Sequence, residues 1–154
     1  MVDQILESSP HCTVRLALVG YVDYDCQEAP LLDFTEDLQA FQAALDSIKL
    51  GYGRDLAEDV FSGLQAAGQL TWRSGTRVLV HVGDYPCHGQ EFHDLGAGAD
   101  DYLGGDKLGR DAGVLLHQLA VGCKLDSYVF SHLAPRTHKM IQRFRELLGA
   151  HLLA

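Results

Sequence analysis

One segment near the middle of the chain most constrains the fold. Residues 77–80, Arg-Val-Leu-Val, are typical of a buried strand, which leads into a loop carrying Asp84 and a Cys-His-Gly run at 87–89. A carboxylate at the carboxyl end of a parallel strand lies where open α/β sheets build their binding sites. A second acidic loop, residues 51–59, contains Asp55 and opens a predicted helix. The two loops are therefore expected to meet at one edge of a sheet.

The composition indicates one globular domain over residues 1–154. The chain is 47% hydrophobic and 21% charged, which is enough apolar content to bury a core. Its formal net charge of −9 argues against nucleic-acid binding, which needs a basic face. No apolar run reaches the roughly 18 residues of a membrane span, and no signal peptide is evident. We expect a cytoplasmic protein that binds neither nucleic acid nor membrane, with its four cysteines as free thiols.

The hydrophobic periodicity predicts alternating strands and helices. Strands are predicted at residues 13–21, at 31–35, from 77 into the Asp84 loop, and at 127–133. Helices are predicted after a Thr35 cap, from about Asp55 to a stop at Gly68, after an Asp111 cap, and from Pro135 to Gly149. This order favours a Rossmann-like α/β fold, with helices on both faces of a mostly parallel sheet and one antiparallel edge strand. Neither GxGxxG after a strand nor GxxxxGK[ST] is present, which disfavours nucleotide binding.

Six ordered blocks carry a resemblance to a known family. They are Leu18-Val19-Gly20-Tyr21-Val22-Asp23, Asp33-Phe34-Thr35, Gly53-x-Asp55-x-x-Glu58-Asp59-Val60, Asp84-x-Pro86-Cys87-His88-Gly89, Asp100-Asp101-Tyr102 and Thr137-x-Lys139-Met140-Ile141. Together, over about residues 13–144, they resemble the von Willebrand factor type A (vWA) domain, in the intracellular branch that accompanies alpha-type protein kinases. The resemblance implies a three-layer Rossmann-like fold and a protein-binding role.

The resemblance also implies a metal-ion-dependent adhesion site. In that family a DxSxS motif after the first, central strand joins a Thr or Asp from a later loop and an Asp after the fourth strand. Here Asp55 resembles the second element and Asp84 the third. Such hard oxygen ligands suit Mg²⁺, with Mn²⁺ or Ca²⁺ as alternatives, and an acidic group from a partner can occupy the open position.

The sequence departs from the family at its amino end. It contains no DxSxS motif, and the first central strand with its metal loop is expected to be missing. The metal site is therefore expected to be weak or absent, in a fragment of a larger alpha-kinase-like or signalling protein. No nucleotide loop or kinase catalytic segment is recognised, so we expect no enzyme activity in this chain. Without that strand, the strands around residues 14–21 and 77–82 would either pair directly or leave a gap, and their exposed edges would invite self-association as well as partner binding.

Other interpretations remain open at this point. A metal-dependent hydrolase using His81, Asp84, His88 and His93 is one alternative, because imidazole is a good zinc ligand, although the spacing matches no known zinc motif. His81 alternates with its strand and is more simply an interior histidine. An accessory part of an alpha-kinase is the other alternative.

Some of the acidic residues also have simpler structural interpretations. Asp55 with Glu58 also forms a capping-box pattern at a predicted helix start. Asp100, Asp101 and Asp106 are expected in a solvated loop and do not fit an EF-hand.

Overall fold

The fold is mixed α/β, in agreement with the predicted class. A computed structural model describes residues 7–9, 11–26, 29–49 and 53–149. Strand β1 (Leu16–Val19) pairs antiparallel with β2 (Leu31–Thr35), while β3 (Val78–Gly83) pairs in parallel with β4 (Ser127–His132). The antiparallel hairpin and the parallel pair were both expected from the sequence. Among the described residues, no helix is both long and apolar enough to cross a membrane.

The described strands do not form one continuous sheet, and the gap between β1 and β3 is one of the two outcomes expected for a sheet that lacks its central strand. The strands make two separate two-stranded sheets, with no hydrogen-bonded ladder between β1 and β3. A side chain joins the two sheets instead. The Tyr21 hydroxyl, just beyond β1, donates to the Val82 carbonyl at 3.3 Å and lies 3.0 Å from Nε2 of His81. Tyr21 therefore contacts one backbone carbonyl and one side chain of β3, and these contacts link β3 to the segment after β1.

The helices fill the connections between strands. They are α1 (Leu38–Asp46), α2 (Val60–Gln69), α3 (Ala112–His117), which continues as a π-helical turn over Gln118–Gly122, and α4 (His138–Leu148), preceded by a 3₁₀ turn at Pro135–Thr137. The capping prediction at Asp111 is confirmed, because its side chain accepts a hydrogen bond from the Val114 amide. Gly149 ends α4 at a φ of 72°, a conformation that favours glycine.

Two predicted helix starts are wrong. Asp37, not Thr35, caps α1, since its carboxylate accepts from the amides of Gln39 and Ala40. Helix α2 begins at Val60 with Asp59 as its cap, so the Asp55–Glu58 pair lies before the helix. In both cases an aspartate close to the apolar run satisfies the free amides better than the more distant candidate. Gly51, within the second acidic loop, lies outside the described residues.

The core lies between the helices and one face of β3 and β4. It combines apolar residues from α2, α3 and α4 with the inward face of the parallel sheet. Its largest fully buried members are Tyr128, Phe144, Leu116, Leu119 and Met140. Phe92 bridges two of the helices through edge contacts with Phe61 and Phe144. Pro86 and Cys87, in the loop after β3, are fully buried, and Cys87 belongs to this core, so packing positions that loop.

The opposite face of β3 is uncovered, contrary to the prediction of helices on both faces. Val78, Val80 and Val82 are 48%, 56% and 53% exposed. The interior face carries His81, which is buried as expected and contacts the Tyr21 and Tyr128 hydroxyls. Burial lowers the pKa of His81 to about 4, so the ring is neutral at physiological pH. His81 is a satisfied interior side chain.

Candidate metal centre

Three loops bring one potential metal ligand each to a common point. The loop after β1 supplies Asp23, the segment before α2 supplies Asp55, and the loop after β3 supplies His88. One ligand atom from each lies within 4.8 Å of the other two. The Arg54 amide donates to Asp25 at 3.1 Å, which holds the Asp55 segment against the β1 loop. Of the two acidic loops that the sequence predicted to meet, one contributes Asp55 and the other contributes His88 rather than Asp84.

His88 is held between two carboxylates. It is 2% exposed, with Nε2 at 2.8 Å from Asp23 Oδ1 and Nδ1 at 2.8 Å from Asp100 Oδ1. Burial alone would lower the pKa of His88, but the two carboxylates outweigh burial and raise it. The imidazole therefore lies in a site that stabilises positive charge.

Asp100 organises the loop around His88. Its two oxygens accept hydrogen bonds from the amides of Gly89 and Tyr102 and from the rings of His88 and His93, over distances of 2.7–2.8 Å. Burial would raise the pKa of Asp100, but these four bonds outweigh it and lower the pKa to about 2. The predicted solvated loop is thus wrong for Asp100, which is 5% exposed.

Asp55 contributes an unsatisfied acceptor. Its Oδ2 accepts from the Asp101 amide at 2.6 Å, whereas its Oδ1 is buried and has no hydrogen-bond partner within the described parts of the chain. Desolvation by burial raises the pKa of Asp55. A buried carboxylate oxygen without a donor is costly, and a cation is a ligand that would satisfy it.

Aromatic rings enclose the imidazole. Tyr24 stacks on His88 at a centroid distance of 4.9 Å, and Tyr102 meets the ring edge-on at 5.0 Å. The Lys107 ammonium lies 5.2 Å from the Tyr24 ring centroid and 5.3 Å from that of Tyr102. Gly53 lets its loop approach closely, because a Cβ there would be 3.0 Å from an Asp23 oxygen. These contacts limit the movement of the His88 ring.

Glu58 gives the centre a testable pH dependence. Its amide donates to the Pro86 carbonyl, which ties it to the β3 loop. Burial, followed by the charges of Asp23 and Asp84, raises the pKa of Glu58 from 4.5 to about 7. In the unfolded chain Glu58 ionises above about pH 4.5, whereas in the folded chain it keeps its proton up to about pH 7. The free energy of unfolding therefore falls as the pH rises from 4.5 to 7.

Replacing Glu58 with Gln is expected to stabilise the protein at pH 8 by about 1–2 kcal/mol, a value reduced for the partial exposure of the side chain. At pH 4.5 the variant and the parent should unfold with nearly the same free energy. Urea unfolding at the two pH values measures the difference. A Glu58→Gln effect that is equal at both would contradict the assigned pKa shift.

The structure places the two metal ligands predicted from the sequence differently. Asp55 lies in the cluster, whereas Asp84 is exposed at the end of β3 and supplies no ligand atom to the three that converge. The four residues of the hydrolase alternative do not share one centre. His81 contacts two tyrosines, while His88 and His93 share Asp100.

Sequence reasoning missed two members of the site, Asp23 and Asp100. Asp23 follows the first predicted strand as Asp84 follows the third, so the same sheet-edge rule could have identified it. Asp100 had no such signal, since it lies in a glycine-rich loop far from any strand end. Its role depends on contacts with His88 and His93 that only the folded chain creates.

The fold and the cluster define a mixed α/β domain with a buried Asp-Asp-His centre at the carboxyl ends of two strands. No protein-family model matches the chain, and no solved structure matches it. The chain is similar to the alpha-protein kinase vwkA of Dictyostelium discoideum, with 32% identity over 135 residues. The alignment covers 85% of this chain and 21% of the kinase, so the chain spans about a fifth of the length of that relative.

This relative is an alpha-protein kinase, the class of protein that the family resemblance in the sequence also implied as the context. The vWA assignment itself remains a prediction.

Proposed function

We propose that this chain is a non-catalytic, protein-binding module of the vWA type, which acts in the context of an alpha-protein kinase. A divalent ion bound at the Asp23–Asp55–His88 cluster would present an open coordination position to an acidic group of a protein partner. The observation that carries the proposal is the convergence of three loops on one point at the carboxyl ends of β1 and β3. Binding sites of α/β proteins lie at this edge.

The donor set differs from the Mg²⁺ site that the family resemblance implies. The sequence has no DxSxS motif, and the cluster offers two carboxylates and one imidazole. Mg²⁺ prefers an octahedral set of oxygen ligands, so the residues present do not fit the expected adhesion site. The proposed ion is therefore divalent, but it need not be magnesium.

The uncovered face of β3 supports a role in protein contacts. Val78, Val80 and Val82 are each about half exposed and lie on one side of the sheet, in register with β4. Adjacent exposed valines on a strand are unusual for a surface without a partner. Self-association through such a strand remains part of this proposal.

A Mn²⁺ titration tests the proposed function, because Mn²⁺ accepts both oxygen and nitrogen ligands and reports on bound water. We expect saturable one-to-one binding by calorimetry, with enhanced relaxation of water protons at the bound ion. Glutarate, as a carboxylate probe, should displace that water and reduce the enhancement. Asp55→Asn should weaken Mn²⁺ binding at least tenfold, because it removes the carboxylate whose Oδ1 lacks a donor.

Two controls make the result specific. Asp94→Asn changes an exposed carboxylate that pairs with Lys139 away from the cluster, and it should leave Mn²⁺ binding unchanged. Asp84→Asn tests the ligand predicted from the sequence, and a loss equal to that of Asp55→Asn would add Asp84 to the site. Absence of Mn²⁺ binding by the folded chain, or metal-dependent hydrolysis of p-nitrophenyl phosphate that is lost in Asp55→Asn, would contradict the proposal.

A further inference from the structure

We infer that the Asp23–Asp55–His88 cluster is a site for a borderline transition metal of the zinc class, with His88 Nε2 as the ligand that selects it. The inference rests on the proposed function and specifies its metal. Zinc accepts imidazole nitrogen and carboxylate oxygen together, whereas magnesium and calcium favour oxygen alone. The single imidazole is therefore the feature that separates the two classes of ion.

The ring of His88 is already oriented as a metal ligand. Its Nδ1 lies 2.8 Å from Asp100, and the amides of Gly89 and Tyr102 hold the Asp100 carboxylate in place. A histidine that binds a metal commonly bonds a carboxylate through its other nitrogen, which fixes both the tautomer and the ring orientation. Here that arrangement directs Nε2 towards Asp23 and the cluster.

The distances between the ligand atoms would change when an ion binds. Asp23 Oδ1 is 2.8 Å from His88 Nε2, and all three ligand atoms lie within 4.8 Å of one another. Zinc bonds of about 2.0–2.2 Å separate two ligand atoms by roughly 3.3 Å in a tetrahedron. Asp23 and His88 therefore need to move apart by about half an ångström, while Asp55, within 4.8 Å of them, needs to lie no farther away than about 3.3 Å.

Asp55 completes the set of three ligands. Its Oδ1 is buried without a hydrogen-bond partner among the described residues, whereas the side chain as a whole is only partly buried. An ion bound to Oδ1 would satisfy this unpaired oxygen. Three protein ligands leave the fourth tetrahedral position to water or to a carboxylate of a partner, as the proposed function requires.

Competition between metals tests the inference. Calorimetry on the whole chain is expected to show one Zn²⁺ bound at least a hundredfold more tightly than Mg²⁺. His88→Gln should weaken Zn²⁺ binding at least tenfold while changing Mg²⁺ binding less than threefold. His117→Gln is the matched control, because His117 is exposed in the last turn of α3, and it should bind Zn²⁺ like the parent.

A measurement on the unaltered chain guards against misfolding of the His88 variant. In ¹⁵N-labelled protein, one equivalent of Zn²⁺ should shift the Nε2 resonance of one histidine while its Nδ1 stays protonated. Zn²⁺ binding that His88→Gln leaves intact, or zinc shifts on other histidines only, would overturn the inference even if Mn²⁺ still binds through Asp55. Failure of every metal to bind the folded chain would overturn the proposed function as well.

Discussion

Replacing Asp100 with Asn is expected to lower the free energy of unfolding by about 3–5 kcal/mol, the typical cost of breaking a buried ion pair by removing one partner. Asp100 accepts four hydrogen bonds, two from amides and two from imidazoles, and is almost fully buried. The amide of Asn keeps the size of the side chain but turns one oxygen into a donor that faces two other donors. Urea unfolding at pH 7 measures the loss.

The neighbouring Asp101 provides the control for Asp100. Asp101 is exposed and pairs with Arg54 at the surface, so Asp101→Asn should leave the unfolding midpoint essentially unchanged. Acid titration adds a second test. The pKa of Asp100 is lowered to about 2, so its contribution is present above about pH 4 and is lost as the pH falls towards 2. An Asp100→Asn variant that is as stable as the parent would show that the loop does not depend on this carboxylate.

Replacing Arg110 with Met is expected to have a similarly large effect, about 3–5 kcal/mol. The Arg110 guanidinium contacts Asp59 at 2.5 Å, Asp106 at 2.6 Å and the Ser62 hydroxyl at 2.6 Å. Its side chain is 12% exposed, and those of Asp59 and Asp106 are 7% and 1% exposed. Methionine fills the space but leaves two buried carboxylates without a counter-charge, which thermal and urea unfolding would both report.

A double replacement separates charge from packing. Adding Asp106→Asn to Arg110→Met removes one of the two uncompensated charges, so it should recover part of the lost stability. Arg54→Met is the surface control, since Arg54 is 80% exposed in its pair with Asp101 and should give no measurable change. Equal effects of Arg110→Met and Arg54→Met would contradict the structural role assigned to the buried network.

These two networks hold the candidate metal centre in place. Asp106 of the Arg110 network also accepts a hydrogen bond from the Tyr24 hydroxyl at 2.6 Å, and Tyr24 stacks on His88. Asp100 fixes the opposite nitrogen of the same imidazole. Damage to either network should therefore weaken metal binding as well as folding, which is why the metal tests use Asp55 and His88 rather than Asp100 or Arg110.

The site was partly predictable. The sheet-edge rule identified loops that do carry ligands, and it selected Asp55 and the segment ending in His88. Asp84 was preferred to Asp23, although both follow a predicted strand, because the family resemblance matched Asp84 to a ligand position. The structure leaves Asp84 exposed and brings Asp23 against His88 across 65 positions of sequence.

The sequence by itself determined the local structure, because strand periodicity, helix caps and stops depend on residues a few positions apart. The α/β class, the β1–β2 hairpin, the Asp111 cap and the Gly149 stop all follow from such patterns. Only the tertiary structure decided that the described strands form two sheets, in which the Tyr21 side chain and not a backbone ladder links the β1 segment to β3. It also decided the ligands of the metal centre, since burial and hydrogen bonding at His88 arise only when Asp23 and Asp100 pack against it.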